Sequence, residues 1–275
     1  YLATLKSLGL KPEKIIELVA AKDVATNHIV GKWLPKEFRL AYAASIQRRK
    51  LHYWPKQLLK ANFDVVSGVF DKVQTKFGFK RTVIDNATAL LPLVSYSDCV
   101  ESILIEGLDD KCLQKYLSKE PSGTVLYTGG GIVPSTLLEL KHIKFLHIHP
   151  GFLPDIRGAD CALWSSLLKG RTSATCFYMS EGIDTGDVIS SFWLPKLSFN
   201  VDIKGINSHS IYRIIYGFID PWIRAFVLRD LVNNYDAFDA LDVTHQTEEG
   251  GVTFYFMHQR LRDITFKKLF KGIEV

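Results

Sequence analysis

Two short runs, Gly123–Tyr127 (GTVLY) and Phe145–His149 (FLHIH), constrain the fold more than any other part of this sequence. Each is apolar enough for a buried strand. Each also stops at residues that end strands, Thr128-Gly-Gly-Gly after the first and Pro150-Gly151 after the second. Between them Ser135–Leu140 reads as a short helix. Strand, helix and strand at this spacing form a βαβ unit with parallel, central strands, so the ends GGGIVP and HIHPG come to lie side by side at one edge. Polar groups crowded at the carboxyl end of such strands suit an active site in an open α/β sheet.

The rest of the chain extends this pattern. Tyr1–Gly9 reads as a helix with Gly9 as its cap, and Ile15–Ala21 as a buried strand, so a first strand is expected before Tyr1. Helices are expected at Pro35–Arg48 and Trp54–Ala61, and Trp33, Trp54, Phe63 and Phe70 are read as packing residues. A strand at Ser102–Ile105 precedes a helix at Asp109–Ser118 capped by Asp109 or Asp110. Downstream, Ala159–Lys169 is a helix, while Ala174–Met179 and Val188–Leu194 are strands on either side of a glycine loop, Glu181–Asp187. A helix spans Asp220–Tyr235 with Pro221 in its first turn, and Val252–Phe256 is a strand or hairpin before a helical, basic tail.

Composition narrows the class. The 275 residues carry a formal charge of +5, which permits an anionic ligand without demanding a nucleic acid. The cysteines Cys99, Cys112, Cys161 and Cys176 form no CxxC pair, which points to free thiols in a reducing, cytoplasmic setting. No run reaches the ~18 apolar residues that cross a bilayer, so no membrane partner is expected.

The chemistry-bearing residues gather at the second strand. His147 and His149, two apart, project from one face of a strand, and the downstream glycine loop supplies Asp184. The three could hold a divalent metal. One histidine could instead work as an acid/base group poised by the carboxylate, or the pair could only satisfy buried hydrogen bonds. Spacing leaves all three readings open.

The surrounding motifs add a resemblance. His147-Ile-His-Pro-Gly-Phe-Leu-Pro-Asp-Ile-Arg-Gly158 resembles the NxHPSLLPxxRG signature of folate-dependent formyltransferases, the family of glycinamide ribonucleotide, methionyl-tRNA and nucleotide-sugar N-formyltransferases. Glu181-Gly-Ile-Asp-Thr-Gly-Asp-Val-Ile189 resembles that family's EGxDTGxxI loop, and Gly131-Ile-Val-Pro134 its GxILP-like turn. The three occur in the family's order, and the clear likeness covers Thr124–Leu197.

The resemblance implies an α/β, Rossmann-like formyltransferase fold, a mainly parallel sheet flanked by helices. A catalytic domain over residues 1–200 would be followed by a small C-terminal elaboration over 201–275. It implies transfer of a formyl group from N10-formyltetrahydrofolate to a small-molecule amine, an amino sugar nucleotide or other metabolite, without a metal. A formyl-folate hydrolase, an inactive folate-binding relative and a metal-dependent hydrolase using His147, His149 and Asp184 are the alternatives. The catalytic set implied is His147, His149 and Asp184: His149 stabilises the oxyanion and manages protons, and Asp184 orients it. Gly131, Ile132, Val133, Leu153, Glu181, Gly182 and Ile183 would hold the folate, and Leu153-Pro154 would be a cis peptide. At His147 the family has asparagine, whose amide donates to the formyl oxygen; an imidazole N–H could do the same. Arg157 is read as bracing its loop, and His245 and His258 as structural. Asp220, Arg224 and Gln246–His258 read as an elaboration whose hairpin would cover the site or join two subunits as a homodimer.

Overall fold

The computed structural model describes residues 1–20, 35–235, 241–246 and 251–271. Trp33 and residues 247–250 of the expected hairpin lie outside them. A two-stranded parallel sheet pairs β1 (Ile15–Ala20) with β2 (Val100–Ile105). A four-stranded sheet has the order β3 (Gly123–Leu126), β4 (Ile143–His149), β6 (Ser173–Tyr178), β7 (Val188–Trp193). A third pair joins β5 (Ile156–Gly158) to β8 (Val252–Phe254) in parallel. β3 and β4 are parallel, as the βαβ unit requires, while β6 and β7 run antiparallel to their neighbours. Only β4 of the expected pair is central; among the described residues β3 is an edge of its sheet.

Helices cover these sheets. α1 (Leu2–Ser7) leads into β1, and Gly9 follows it at φ +75°, a conformation glycine adopts freely. α2 runs unbroken over Lys36–Ala61 with Pro55 inside it, where two helices are expected. The intervening RRKLHY stretch favours helix throughout, and one missing N–H does not end a helix of that length. α2 packs on β1, where Gln47 both donates to the Leu18 carbonyl (3.0 Å) and accepts from Ala20 N (3.1 Å), occupying the strand edge. α3 (Phe63–Phe77) buries Val65, Val66, Val69, Phe70, Val73 and Phe77, and α4 (Arg81–Ala89) follows. Phe70 is a core residue, but Phe63 is 63% exposed and packs against nothing central.

α5 (Lys111–Leu117) begins at Asp110, whose carboxylate accepts from Cys112 N (2.8 Å). α6 (Ser135–Leu138) is the expected short helix of the βαβ unit, and α7 (Cys161–Lys169) follows β5. α8 (Ser208–Ile214) continues through a widened turn, Ile215–Ile219, into α9 (Asp220–Asn234). The widening falls just before Pro221, which cannot continue a regular ladder. α9 packs across β4 and β6, and α10 (Gln259–Lys271) closes on α7 and α8. One core therefore runs from Val65 through Ile148, Cys176 and Ile223 to Phe270. β8 pairs in parallel with β5, so the strand expected over Val252–Phe256 is present at Val252–Phe254. Among the described residues no helix is long and apolar enough to cross a membrane.

Candidate active site

β4 carries the site because its far end leaves the sheet between two neighbours of opposite direction. His147 lies opposite Phe177 and His149 opposite Thr175 on β6. The two histidines share a face, as alternation predicts.

His149 is buried, 3% exposed. Its Nε2 lies 3.2 Å from the Ile156 carbonyl and its Nδ1 3.3 Å from Asp184 Oδ2. Both partners only accept, so a neutral ring can donate to one of them. The Ile156 contact has hydrogen-bond geometry and the Asp184 contact is an ion-pair distance, which assigns the hydrogen to Nε2 and leaves Nδ1 facing the carboxylate. Burial lowers the pKa of this ring, and Asp184 opposes that shift. A proton added at Nδ1 is therefore received against a negative partner.

Asp184 is held for this contact by its own loop. It sits at φ +55° between Gly182 at +114° and Thr185, whose hydroxyl donates to the Glu181 carbonyl (2.8 Å). Gly158 N donates to Asp184 Oδ2 (2.9 Å), joining the end of β5 to the same oxygen. Gln246 donates through Nε2 to the carbonyls of Asp184 (3.1 Å) and Gly186, and its Oε1 accepts from Arg157 Nη2 (3.1 Å). Arg157 is 8% exposed and, where it is expected to brace its own loop, reaches the Asp184 loop through Gln246, a role for that glutamine that sequence reading missed. No local signal marks Gln246, because its partners lie about 60 and 89 residues away. His245 pairs with Asp187 (2.7 Å) on the surface, and His258 accepts from Arg260 N (3.3 Å) at the start of α10.

His147 is half-buried. Its Nδ1 lies 2.8 Å from the Tyr127 carbonyl, and its ring meets Phe177 edge-on, with centroids 5.9 Å apart. Burial pushes its pKa down to about 4, with Arg224 and His149 adding to the effect. Arg224 reaches from α9 to the Ile148 carbonyl (3.2 Å), between the two histidines on the strand, and is held by Asp220 (2.8 Å). Among the described residues no group of three His, Cys, Asp or Glu side chains has the arrangement of a metal site.

The candidate ligand-holding residues divide by position. Gly131 lies at φ +87° and Ile132 is 70% exposed. Tyr127 shapes this turn by donating from its hydroxyl to the Gly130 carbonyl (2.8 Å). Main-chain N–H groups of Gly130, Gly131, Ile132, Val133, Gly182 and Ile183 make no hydrogen bond among the described residues. Glu181 and Ile183 are exposed, whereas the Val133 side chain is buried. Leu153 is 2% exposed, its N donates to Thr175 Oγ1 (3.0 Å) and its carbonyl accepts from Ser191 (3.4 Å). Leu153-Pro154 is cis.

With the geometry in place, residues 105–195 match the family model described as "Formyl transferase", about a third of the chain. Methionyl-tRNA formyltransferase of Syntrophus aciditrophicus (strain SB) is 37% identical over 86 residues, 30% of this chain and 27% of that one. Methionyl-tRNA formyltransferase of Hydrogenobaculum sp. (strain Y04AAS1) is 26% identical over 165 residues, 55% of this chain and 52% of that one. Among solved structures, a sugar N-formyltransferase from a Shewanella species aligns with TM-score 0.39 and 16% identity, covering 61% of this chain and 67% of the other. The chain spans about a quarter to half the length of these curated relatives. Through its middle third the chain is similar to formyl transferases, in line with the resemblance of its motifs.

Proposed function

We propose that this chain carries the catalytic site of an N-formyltransferase that moves a formyl group from N10-formyltetrahydrofolate to a small-molecule amine. The observation that supports it is the His149–Asp184 pair, 3.3 Å apart at the end of β4, inside the segment that matches the family. The turn Gly130–Val133 and the loop Gly182–Ile183 fit a flat, polar heterocycle. Their main-chain donors are unspent, and Gly130 has open space where a side chain would stand. Bound there, the folate supplies the activated formyl carbon.

The protein's own part is positioning and proton handling. As an amine attacks a formyl carbon, its nitrogen must shed a proton and the departing nitrogen must gain one. His149 Nδ1, backed by Asp184, receives a proton without leaving the protein's interior. The Gly158 N–H keeps the carboxylate aimed at the ring. We assign the catalytic domain to residues 1–200 and the buttressing elaboration to 201–275. The mild charge of +5 favours a small amine, an amino sugar nucleotide or other metabolite, over a tRNA. The four free thiols fit the cytoplasm.

A mass-spectrometric screen of amines, methionyl-tRNA among them, with N10-formyltetrahydrofolate tests this. Wild type is expected to formylate a small amine, and His149→Ala and Asp184→Ala to lose at least ~100-fold in rate. An unchanged rate in either variant removes that residue from the chemistry. Formate release without an acceptor would replace transfer with hydrolysis.

A further inference from the structure

Both imidazoles at the end of β4 spend their N–H on the main chain, one on the carbonyl of Tyr127 and one on that of Ile156. For His147 the consequence is specific. Nδ1 carries the ring's hydrogen, because the Tyr127 oxygen 2.8 Å away can only accept, so a neutral His147 presents Nε2 as a bare lone pair. Nε2 has no partner among the described residues, and it is not one of the buried polar atoms that lack one, so it opens to solvent. Tyr127 and Phe177 flank the ring and hold it in that orientation.

We propose that His147 acts on the attacking amine, accepting its N–H hydrogen bond and relaying its proton, instead of donating to the formyl oxygen as an asparagine there would. This rests on the formyl-transfer reading. In the step, the amine nitrogen forms a bond to the formyl carbon and passes one proton to His147 Nε2. The bond from that carbon to the donor nitrogen then breaks, and Nε2 returns the proton to the departing nitrogen. Charge and protons balance, and His147 ends neutral.

A donor role would need the imidazolium. With the pKa pushed down to about 4 by burial, roughly one ring in a thousand is protonated at pH 7. A ring of such low basicity also gives up its proton readily, as delivery to a weakly basic arylamine nitrogen requires. His149, with its Nδ1 turned to Asp184, keeps its part in proton handling beside the carboxylate, and His147 is the ring that meets the amine from the solvent side.

The tautomer is measurable without activity. Nitrogen NMR of the full chain carrying 15N-histidine, with His147 assigned by comparison with His147→Asn, is expected to show a protonated Nδ1 and a bare Nε2 at pH 7. A protonated Nε2 overturns the relay. In transfer assays His147→Ala and His147→Asn are both expected to lose about 100-fold in kcat, the scale of lost acid/base assistance, with tetrahydrofolate affinity little changed. Free imidazole is expected to restore part of the His147→Ala rate. His147→Asn at the wild-type rate would also overturn the relay, since an amide cannot carry a proton. A wild-type protein inert toward every amine would overturn the activity and the relay together, whereas the wrong tautomer in an active protein overturns the relay alone.

Discussion

The protonation of His147 bears on folding stability. In the folded chain its pKa is about 4, against about 6.5 when unfolded. The folded pKa is the lower one, so between these values the unfolded state binds more protons and gains relative stability as pH falls. The contribution is absent at pH 7, where the ring is neutral in both states, and grows from pH 6.5 down to 4. At pH 5 this single group is expected to remove about 2 kcal/mol of folding stability. Urea denaturation at pH 7 and pH 5, comparing wild type with His147→Asn, measures it: the variant should show the shallower pH dependence. Parallel curves for the two proteins would mean that the ring is not held neutral by the fold.

At the scale of elements, Asp160 does what the motifs do not announce. It follows β5 at φ +56° and is 6% exposed. Its Oδ1 accepts from the hydroxyls of Tyr212 and Tyr216 on α8 and the following turn, at 2.8 and 2.5 Å, and its Oδ2 accepts from Met257 N at 2.8 Å, just before α10. Three elements distant in sequence thus meet at one carboxylate at the head of α7. Asp160→Ala would strand three donors, each costing about 1–3 kcal/mol when buried and unpaired, so a loss of roughly 3 kcal/mol is expected from chemical denaturation. An unchanged midpoint would mean that water replaces the carboxylate and that the junction is looser than drawn. The strands and their order along the chain were legible, because alternation, glycine and proline are local signals; β2, β4, β6 and β7 fall within two residues of where periodicity puts them. The site's frame was not. Asp160, Gln246, Tyr127 and the Ile156 carbonyl act through partners that folding brings near, from 7 residues away for Ile156 to 97 for Asp160, and no spacing rule marks them. The antiparallel turn at β6 was hidden for the same reason, since a strand's sequence does not record its neighbour's direction. His149 and Asp184 were found because a motif names both; that Leu153 is buried is decided by packing alone.

For the molecule as a whole, the question is whether residues beyond 200 form an appendage or part of one body. α9 lies across β4 and β6, directly behind the histidines, and buries Trp222, Ile223, Val227, Leu228 and Leu231. Burying each of these side chains contributes about 1.5–3 kcal/mol, so the five together match the whole net stability of a typical domain, about 5–15 kcal/mol. Phe266, Leu269 and Phe270 of α10 belong to the same core. The site depends on this span as well, since Gln246 fixes the Asp184 loop and Arg224 reaches Ile148. A chain ending at residue 200 would therefore lose α9 and α10 from the core that holds Ile148, Ala174 and Cys176. It is expected to lack a cooperative urea transition and to bind tetrahydrofolate no better than unfolded protein does. The 275-residue chain is expected to unfold in one step, with coincident fluorescence transitions in two variants, one retaining only Trp193 and the other only Trp222. Separated transitions would show that the two spans fold independently. Residues 201–275 would then be a true appendage, and the alignment of His149 with Asp184 would have to survive their removal.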